Sequence, residues 1–389
     1  MSQLRILIVH NEYQLRGGED SVVEAEIDLL RSRGHAVDIY RQHNDALKTM
    51  PPAQAAIDTI WSSRSVTALT EAIKQFRPDV VHFHNTFPII SPSAYWAVRD
   101  AGLPVVQTLH NFRLHCAQGN YLRSGVVCED CIGHLPWRGV AHACYRGSRA
   151  QSAVLGSMVV VHRAMGTYRE KVTRYIALNA FCRRKFIEGG LPAERIVIKP
   201  NFADFPVPRA SARDGFLYVG RLSTEKGVES LVRGWEMMET GFLRVAGTGP
   251  EANRLDGIPR LIALGAISGD AVRGHMACSM ALVLPSICYD SFPRTLVEAF
   301  ACALPVIASR LGPLADLVEE GVTGLLFEPG DPVDMAQRLN WAQANPERMA
   351  EMGHNARKKY EAEFSAERNY PQLIAIYEEA IQAVDSESQ

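Results

Sequence analysis

"ALVLPSICYDSFPRTLVEAFACALPVIAS", residues 281–309, decides the fold. It opens on a short apolar run of β-forming residues and passes through a polar loop. A stretch follows in which Phe292, Leu296 and Phe300 recur every four positions, the apolar stripe of a helix. Ser291 is placed to cap that helix, and Pro293 suits its first turn. After a Leu-Pro break comes a second apolar run, "PVIAS". Strand, helix and strand in this order predict a right-handed βαβ unit with parallel strands. Two carboxylates stand out within it. Asp290 lies in the loop, and Glu298 lies on the helix but off the apolar stripe.

The same alternation runs outward in both directions. Before it come "LRILIVH", "AVDIY", "VVHFH", "VVQTLH", "RYIALN" and "RIVIKPN", several of them nearly continuous apolar runs, as in parallel strands covered on both faces. "EDSVVEAEIDLLRSRGH" between the first two reads as an amphipathic helix ending at Gly34. After "KPNFADFPVPRASARDG", which is proline-rich and aperiodic, the pattern restarts with "GFLYVGR", "FLRVAG", "RLIALGA", "ALVLPS", "PVIAS" and "GLLFE". The expected organisation is α/β, with two Rossmann-like, doubly wound domains facing a central cleft. Residues 1–200 form the first domain, with a cysteine-rich insertion at about 112–147. Residues 201–214 form the linker and 215–365 the second domain. Residues 366–389 form a C-terminal helix that packs back on the first domain.

The 389 residues exceed one common core, and 47% hydrophobic with 22% charged is ordinary globular composition. A net charge of -2 argues against a general nucleic-acid binder. The start reads directly as a buried strand rather than an export signal, and the longest apolar run, from Ala153, is too short to span a bilayer. A cytoplasmic protein is expected, resting on the inner face of the cell membrane where it meets lipid. Its eight cysteines are then thiols or metal ligands rather than disulfides.

In open parallel sheets, ligands bind beyond the carboxyl ends of the strands. After the first strand stand Gly17 and Gly18 at the start of a helix, a place where backbone amides meet an anion or simply a tight turn. After the fourth stands His110, suited to bond a sugar hydroxyl or donate to an oxyanion, or to a structural bond with backbone. After "GFLYVG" come Arg221 and Lys226 beside a helix start, two cations suited to a diphosphate. In the opening stretch, the unpaired amides from Ser291 to Arg294 add donors.

"GRLSTEKGVESLV" and "YDSFPRTLVEAFACALPVIASRLGPLADLVEEGVTGLLFEPGD" resemble the C-terminal domain of family 4 retaining glycosyltransferases of the GT-B fold. "NEYQLRGGED", "VVHFHN" and "TLHNFR" resemble that family's acceptor domain more loosely. The resemblance implies a nucleotide-diphosphate sugar as donor substrate and a glycan or lipid-linked glycan acceptor, in polysaccharide biosynthesis. By it, Arg221 and Lys226 hold the diphosphate, Glu298 the ribose, and Asp290 the donor sugar. The family has Glu where Asp290 stands, so the carboxylate here is one methylene shorter. His110 matches a His near the transferred sugar; Gly17 and Gly18 match a phosphate loop; Ala266 and Ile267 fall where backbone meets the base. Gly220, Phe292, Pro293, Arg294 and Thr295 complete the implied donor contacts around these motifs. No catalytic metal is required, because cations and helix-start amides do its work.

Cys116, Cys128, Cys131 and Cys144 fall in the insertion, and the Cys128/Cys131 spacing is that of a zinc knuckle. A structural zinc and packed thiols both fit. From Ala141 to Lys185, nine cations face one acid, Glu170, as on a flank resting on anionic membrane or on a solvated face. The competing functions are a sugar-nucleotide epimerase or other enzyme of the same fold, and a zinc-stabilised non-enzymatic binding protein.

Overall fold

The computed structural model describes residues 3–14, 17–204 and 212–387, so Leu15, Arg16 and residues 205–211 of the expected linker lie outside the described residues. The chain divides into two compact units. The first comprises residues 1–120, 129–201 and 369–389; the second comprises 121–128 and 202–368.

The strands of the first unit are β1 (Arg5–Glu12), β2 (Ala36–His43), β3 (Val80–Asn85) and β4 (Val105–Leu109). After a short hairpin, β5 (Leu122–Arg123) and β6 (Val126–Val127), come β7 (Arg174–Ala177) and β8 (Ile196–Ile198). The sheet order is β2-β1-β3-β4-β7-β8, all parallel. Ile6, Leu7, Ile8 and Val9 of β1 are wholly buried, which is why this strand reads as one apolar run. The helix Gly18–Ser32 covers β1 through Val23, Ile27 and Leu30. It ends at Arg33 and Gly34, where φ is +88° and the chain reverses on a His35 N–H to Leu30 C=O bond of 3.2 Å.

The second unit carries β9 (Phe216–Val219), β10 (Leu243–Ala246), β11 (Leu261–Gly265), β12 (Ala281–Leu284), β13 (Val306–Ser309) and β14 (Gly324–Phe327). Their order, β11-β10-β9-β12-β13-β14, is again all parallel. The chain winds outward from β9 in one direction and from β12 in the other, so the loops after these two paired strands diverge at a switch point. Phe216, Trp235, Leu243 and Val283 are at the centre of the core below.

The C-terminal helix, Ala366–Glu387, belongs to the first unit from Asn369 onward. Leu373, Ile374, Tyr377 and Ala380 join the core of β1, β3 and β4. The insertion is divided: its hairpin residues 121–128 cluster with the second unit, not with the first.

Candidate functional site

In the second unit, β9 pairs with β12 through Phe216–Ala281 and Leu217–Leu282, so the segments that leave them run side by side. Gly227 fixes their approach. Its φ is +72°, and a Cβ there would stand 1.8 Å from the Pro285 carbonyl oxygen. Ile287 N–H donates to Glu225 C=O at 3.1 Å and ties the same two loops together. The result is that Lys226 and Asp290 meet in an ion pair. Burial works against the Lys226 ammonium, but the Asp290 carboxylate holds its pKa well above the ordinary value. Beneath them, burial pushes the Cys288 thiol up to about 12. Arg221 leaves the strand exposed, its carbonyl accepting from the Tyr218 hydroxyl at 2.8 Å.

The helix that carries Glu298 runs Arg294–Ala301. It starts later than the sequence suggested: Pro293, not Ser291, is the N-cap residue. The Pro293 carbonyl accepts the first turn's bond from Leu296 N–H at 3.0 Å. Phe292, Leu296 and Phe300 are buried on one stripe, and Glu298 stands off it. Arg294 Nε is 2.8 Å from Glu298 Oε1, a bond along the helix from i to i+4. Burial raises the Glu298 carboxyl above its usual range, with Arg294 opposing. Ala266 and Ile267 follow β11 directly, before Ser268 caps the next helix by accepting from Ala271 N–H at 3.2 Å.

The hairpin β5–β6 contributes to this unit. Tyr121, 1% exposed, packs edge to face on Tyr289, with ring centroids 5.6 Å apart. Val126 and Val127 line a cavity of about 500 Å³ with Thr224, Gly227, Arg233 and Ile287. Sequence reasoning placed the whole insertion in the first domain and missed the part its hairpin plays in the second unit. The contact is non-local, and nothing in "NYLRSGVVCED" announces it.

In the first unit, β1, β3 and β4 are neighbours, so His10, His84 and His110 gather at their carboxyl ends. His10 Nε2 and Asp20 Oδ1 are 2.8 Å apart, and the other Asp20 oxygen accepts from Gly17 N–H at 2.7 Å. Burial opposes it, but these two bonds hold the Asp20 carboxyl below its usual value. The Gly17 amide is therefore occupied by the helix's own acid rather than left for a ligand. The tight-turn account of the glycines does not apply either: Gly17 has φ -113° and ψ -179°, and nothing lies within 4 Å of a Cβ on Gly18.

Glu19 and Tyr13, which the sequence did not single out, join this end. The Tyr13 hydroxyl donates to Glu19 Oε2 at 2.9 Å, and burial pushes the Glu19 carboxyl up to about 7. His110 Nε2 lies 2.9 Å from His84 Nδ1, and burial brings the His110 imidazole down to about 3, so it is neutral at ordinary pH.

Among the described residues, one group of three or more His, Cys, Asp or Glu side chains has ligand atoms within 4.8 Å of one another, and it is Glu26, His82 and His84. Cys116, Cys128, Cys131 and Cys144 do not form such a group. Cys144 packs against the apolar cluster of Phe87, Ala117 and Leu155. The basic flank is also thinner than its sequence. Arg163 donates to Leu114 and His134 carbonyls, Arg183 to Ala193 and Ile196 carbonyls, and Lys185 pairs with Glu129 and Glu188. Arg146, Arg149 and Arg169 remain exposed. No helix among the described residues is long and apolar enough to cross a membrane.

Two doubly wound parallel sheets, each with its polar side chains at the strand ends, define the two-domain α/β class in which nucleotides are bound at switch points. Residues 17–201 match the glycosyl transferase 4-like domain, and residues 213–345 match glycosyl transferases group 1. The chain belongs to the family 4 glycosyltransferases of GT-B fold. It is 26% identical over 294 residues to the GDP-mannose-dependent alpha-mannosyltransferase of Corynebacterium glutamicum, covering 73% of this chain and 62% of that one. It is 30% identical over 169 residues to an uncharacterized glycosyltransferase of Methanocaldococcus jannaschii, covering 42% and 47%. These matches span only about half to three fifths of those relatives' lengths. In structure it is similar to sucrose-phosphate synthase from Thermosynechococcus elongatus, with a TM-score of 0.73 at 19% identity over 98% of this chain and 100% of that one. Anabaena HepE in complex with UDP-glucose gives 0.66 at 16% identity, over 99% and 100%.

Proposed function

We propose that this chain is a retaining glycosyltransferase that moves a sugar from a nucleotide-diphosphate sugar to a glycan or lipid-linked glycan acceptor in polysaccharide biosynthesis. The observation that carries the reading is the meeting of Lys226 with Asp290 at the paired ends of β9 and β12, beside the helix start that leads to Glu298. That arrangement offers cations and helix-start amides to a diphosphate, and carboxylates to sugar and ribose hydroxyls. Structures similar in fold hold UDP and UDP-glucose, which supports a nucleotide sugar as donor.

In the reaction, the bond from the sugar's anomeric carbon to the diphosphate oxygen breaks, and a bond from that carbon to the acceptor oxygen forms on the same face. The acceptor's proton passes to the departing phosphate. Arg221, Lys226 and the amides of the helix start stabilise the charge that grows on the leaving diphosphate. Asp290 aligns the donor sugar and keeps Lys226 charged; Glu298, steadied by Arg294, takes the ribose hydroxyls. The family motif assigns His110 to the neighbourhood of the transferred sugar. A peripheral contact with anionic lipid uses the exposed Arg146, Arg149 and Arg169.

The test is a panel of nucleotide sugars offered with lipid-linked and soluble glycan acceptors, followed by product analysis. Free nucleoside diphosphate together with a new glycoside of unchanged anomeric configuration is expected. An isomerised donor with no glycoside would replace this reading with an epimerase.

A further inference from the structure

We propose that Arg113 and Arg146 hold the phosphate of a phosphate ester whose apolar chain enters the chamber beside the helices Pro52–Ile60 and Arg149–Ala164 of the first unit. Two loops build the cation site. β3 and β4 are neighbours in the sheet, and the loops that leave them carry Phe87 and Arg113. Both loops start on the same asparagine turn: Asn85 Oδ1 accepts from Phe87 N–H at 3.0 Å, and Asn111 Oδ1 accepts from Arg113 N–H at 3.1 Å. The Arg113 guanidinium then lies over the Phe87 ring, 4.7 Å from its centroid. Tyr145 packs edge to face on Phe87 at 5.6 Å, and Arg113 and Arg146 both lie over the Tyr145 ring, at 5.7 and 5.5 Å. Gly119 leaves room for the guanidinium: a Cβ there would stand 3.4 Å from Arg113 Nη2.

These cations are not matched by acids. Arg113 is half-buried, and its Nε is closed off from solvent with no acceptor. Among the described residues, neither Arg113 nor Arg146 makes an ion pair. The acids of neighbouring segments are engaged elsewhere, Asp58 with Arg64 and Asp45 with Lys48. Burial raises the Glu19 carboxyl and the Arg113 charge opposes that rise, yet the two groups do not pair. A guanidinium stacked on aromatic faces keeps its edge for an oxyanion, and a phosphate oxygen answers the buried N–H that is costly to leave unmet.

The chamber decides what the phosphate carries. Its volume is about 280 Å³, at the lower edge of the range for small-molecule pockets. Phe87, Tyr145 and Arg146 bound it, so it shares walls with the cation site. Met50, Ala56, Val154 and Leu155 supply apolar surface, and none of its lining residues is acidic. A free phosphate would leave that surface wet, whereas a chain attached to the phosphate covers it, each buried methylene adding to affinity. The role of such an ester as the carrier end of an acceptor rests on the transferase reading above; the binding site does not.

The test is calorimetry on the full chain without donor. The probes are octyl phosphate, kept below its micelle-forming concentration, and its two halves, inorganic phosphate and 1-octanol. Octyl phosphate is expected to bind about 10-fold or more tightly than either half, the gain that about two buried methylenes supply. Arg146→Gln, at an exposed position, should weaken it about 3- to 10-fold, and Arg113→Gln about 10-fold or more. Ala56→Leu, which fills the chamber, should weaken octyl phosphate and leave inorganic phosphate unchanged. Octyl phosphate that binds no better than inorganic phosphate, or binds equally well to both arginine variants, overturns the site. With a phosphate-linked acceptor in the transfer assay, the same variants should raise acceptor KM about 10-fold with little change in kcat. An unchanged KM beside weakened octyl phosphate binding keeps the site and overturns its part in acceptor binding. A chain that transfers no sugar at all refutes the transferase reading and leaves the binding result to decide the site.

Discussion

Lys199→Met removes the ammonium that pairs with Glu26, and the structure sets the size of the effect. Both side chains are 1% exposed, and Lys199 also donates to Asn369 Oδ1 at 3.0 Å. Breaking a buried pair from one side leaves an uncompensated charge and costs about 3–5 kcal/mol. Because the chain has two units, a single unfolding curve would mix them. Hydrogen exchange resolved to peptides reads the first unit alone. Protection in β1 and β3 is expected to fall about 10²- to 10⁴-fold, with β9 and β12 unchanged as an internal reference. The pH dependence gives a second check. In wild type the Glu26 pKa is depressed, so its contribution is present above the unfolded carboxyl value of about 4.3 and is lost as pH falls through the lower folded value. Without Lys199, burial instead raises it, and the penalty appears as pH rises above about 4.3. The gap between wild type and variant should therefore widen from about pH 4 to 7. Glu26→Gln/Lys199→Met should recover most of the loss. Exchange in β1 and β3 that changes by less than about threefold, or a gap that narrows with rising pH, would refute the account of a buried ionised pair.

Arg221→Ala should lower kcat about 10²-fold or more, with the fold intact by circular dichroism, as losing a donor to a developing oxyanion does. Gly227→Ala should separate the loops after β9 and β12, because its Cβ has no room beside Pro285; donor affinity by calorimetry should collapse while the first unit's exchange stays as it was. Glu19, with its pKa raised to about 7, binds a proton in the folded state that the unfolded chain has lost above about pH 4.3. Stability should fall as pH rises between these values, and Glu19→Gln should flatten that slope in denaturant titrations. Arg149→Glu/Arg169→Glu should weaken flotation with anionic vesicles and leave transfer to a soluble acceptor intact.

The strands were legible because parallel strands buried on both faces leave continuous apolar runs, as in "LRILIVH" and "ALVLPS". The residues at their ends followed from topology. Once β9 and β12 are neighbours at a switch point, Arg221, Lys226, Asp290 and Glu298 fall at one end of one sheet. What the sequence hid was pairing. Asp290 read as a sugar ligand and Lys226 as a phosphate ligand, but the structure sets them side by side as an ion pair. The buried acid, by contrast, left a signal that went unread. Glu26 interrupts the apolar face of its helix, and a charge there requires a partner. His82 and His84 alternate with Phe83, so both face the same side of β3. Lys199 closes the set from the far end of the first unit, in a segment that reads only as strand end and linker. Its partner is 173 residues away, and no local pattern spans that distance.

The two sheets treat charge differently, and the difference follows from what each must do. At the ends of β9 and β12, Lys226 and Asp290 keep 30% and 19% of their side chains exposed, and Arg221 is open to solvent. Groups that must exchange a protein partner for a phosphate or a hydroxyl need that access, and partial solvation keeps the cost of the exchange small. At β1, β3 and β4, Glu26, Lys199, His82 and His84 are nearly or wholly buried and hold one another. Such a network is too costly to open in each cycle, since every group released would lie unpaired in a low dielectric. It is therefore suited to holding one arrangement of its side chains rather than to exchanging partners.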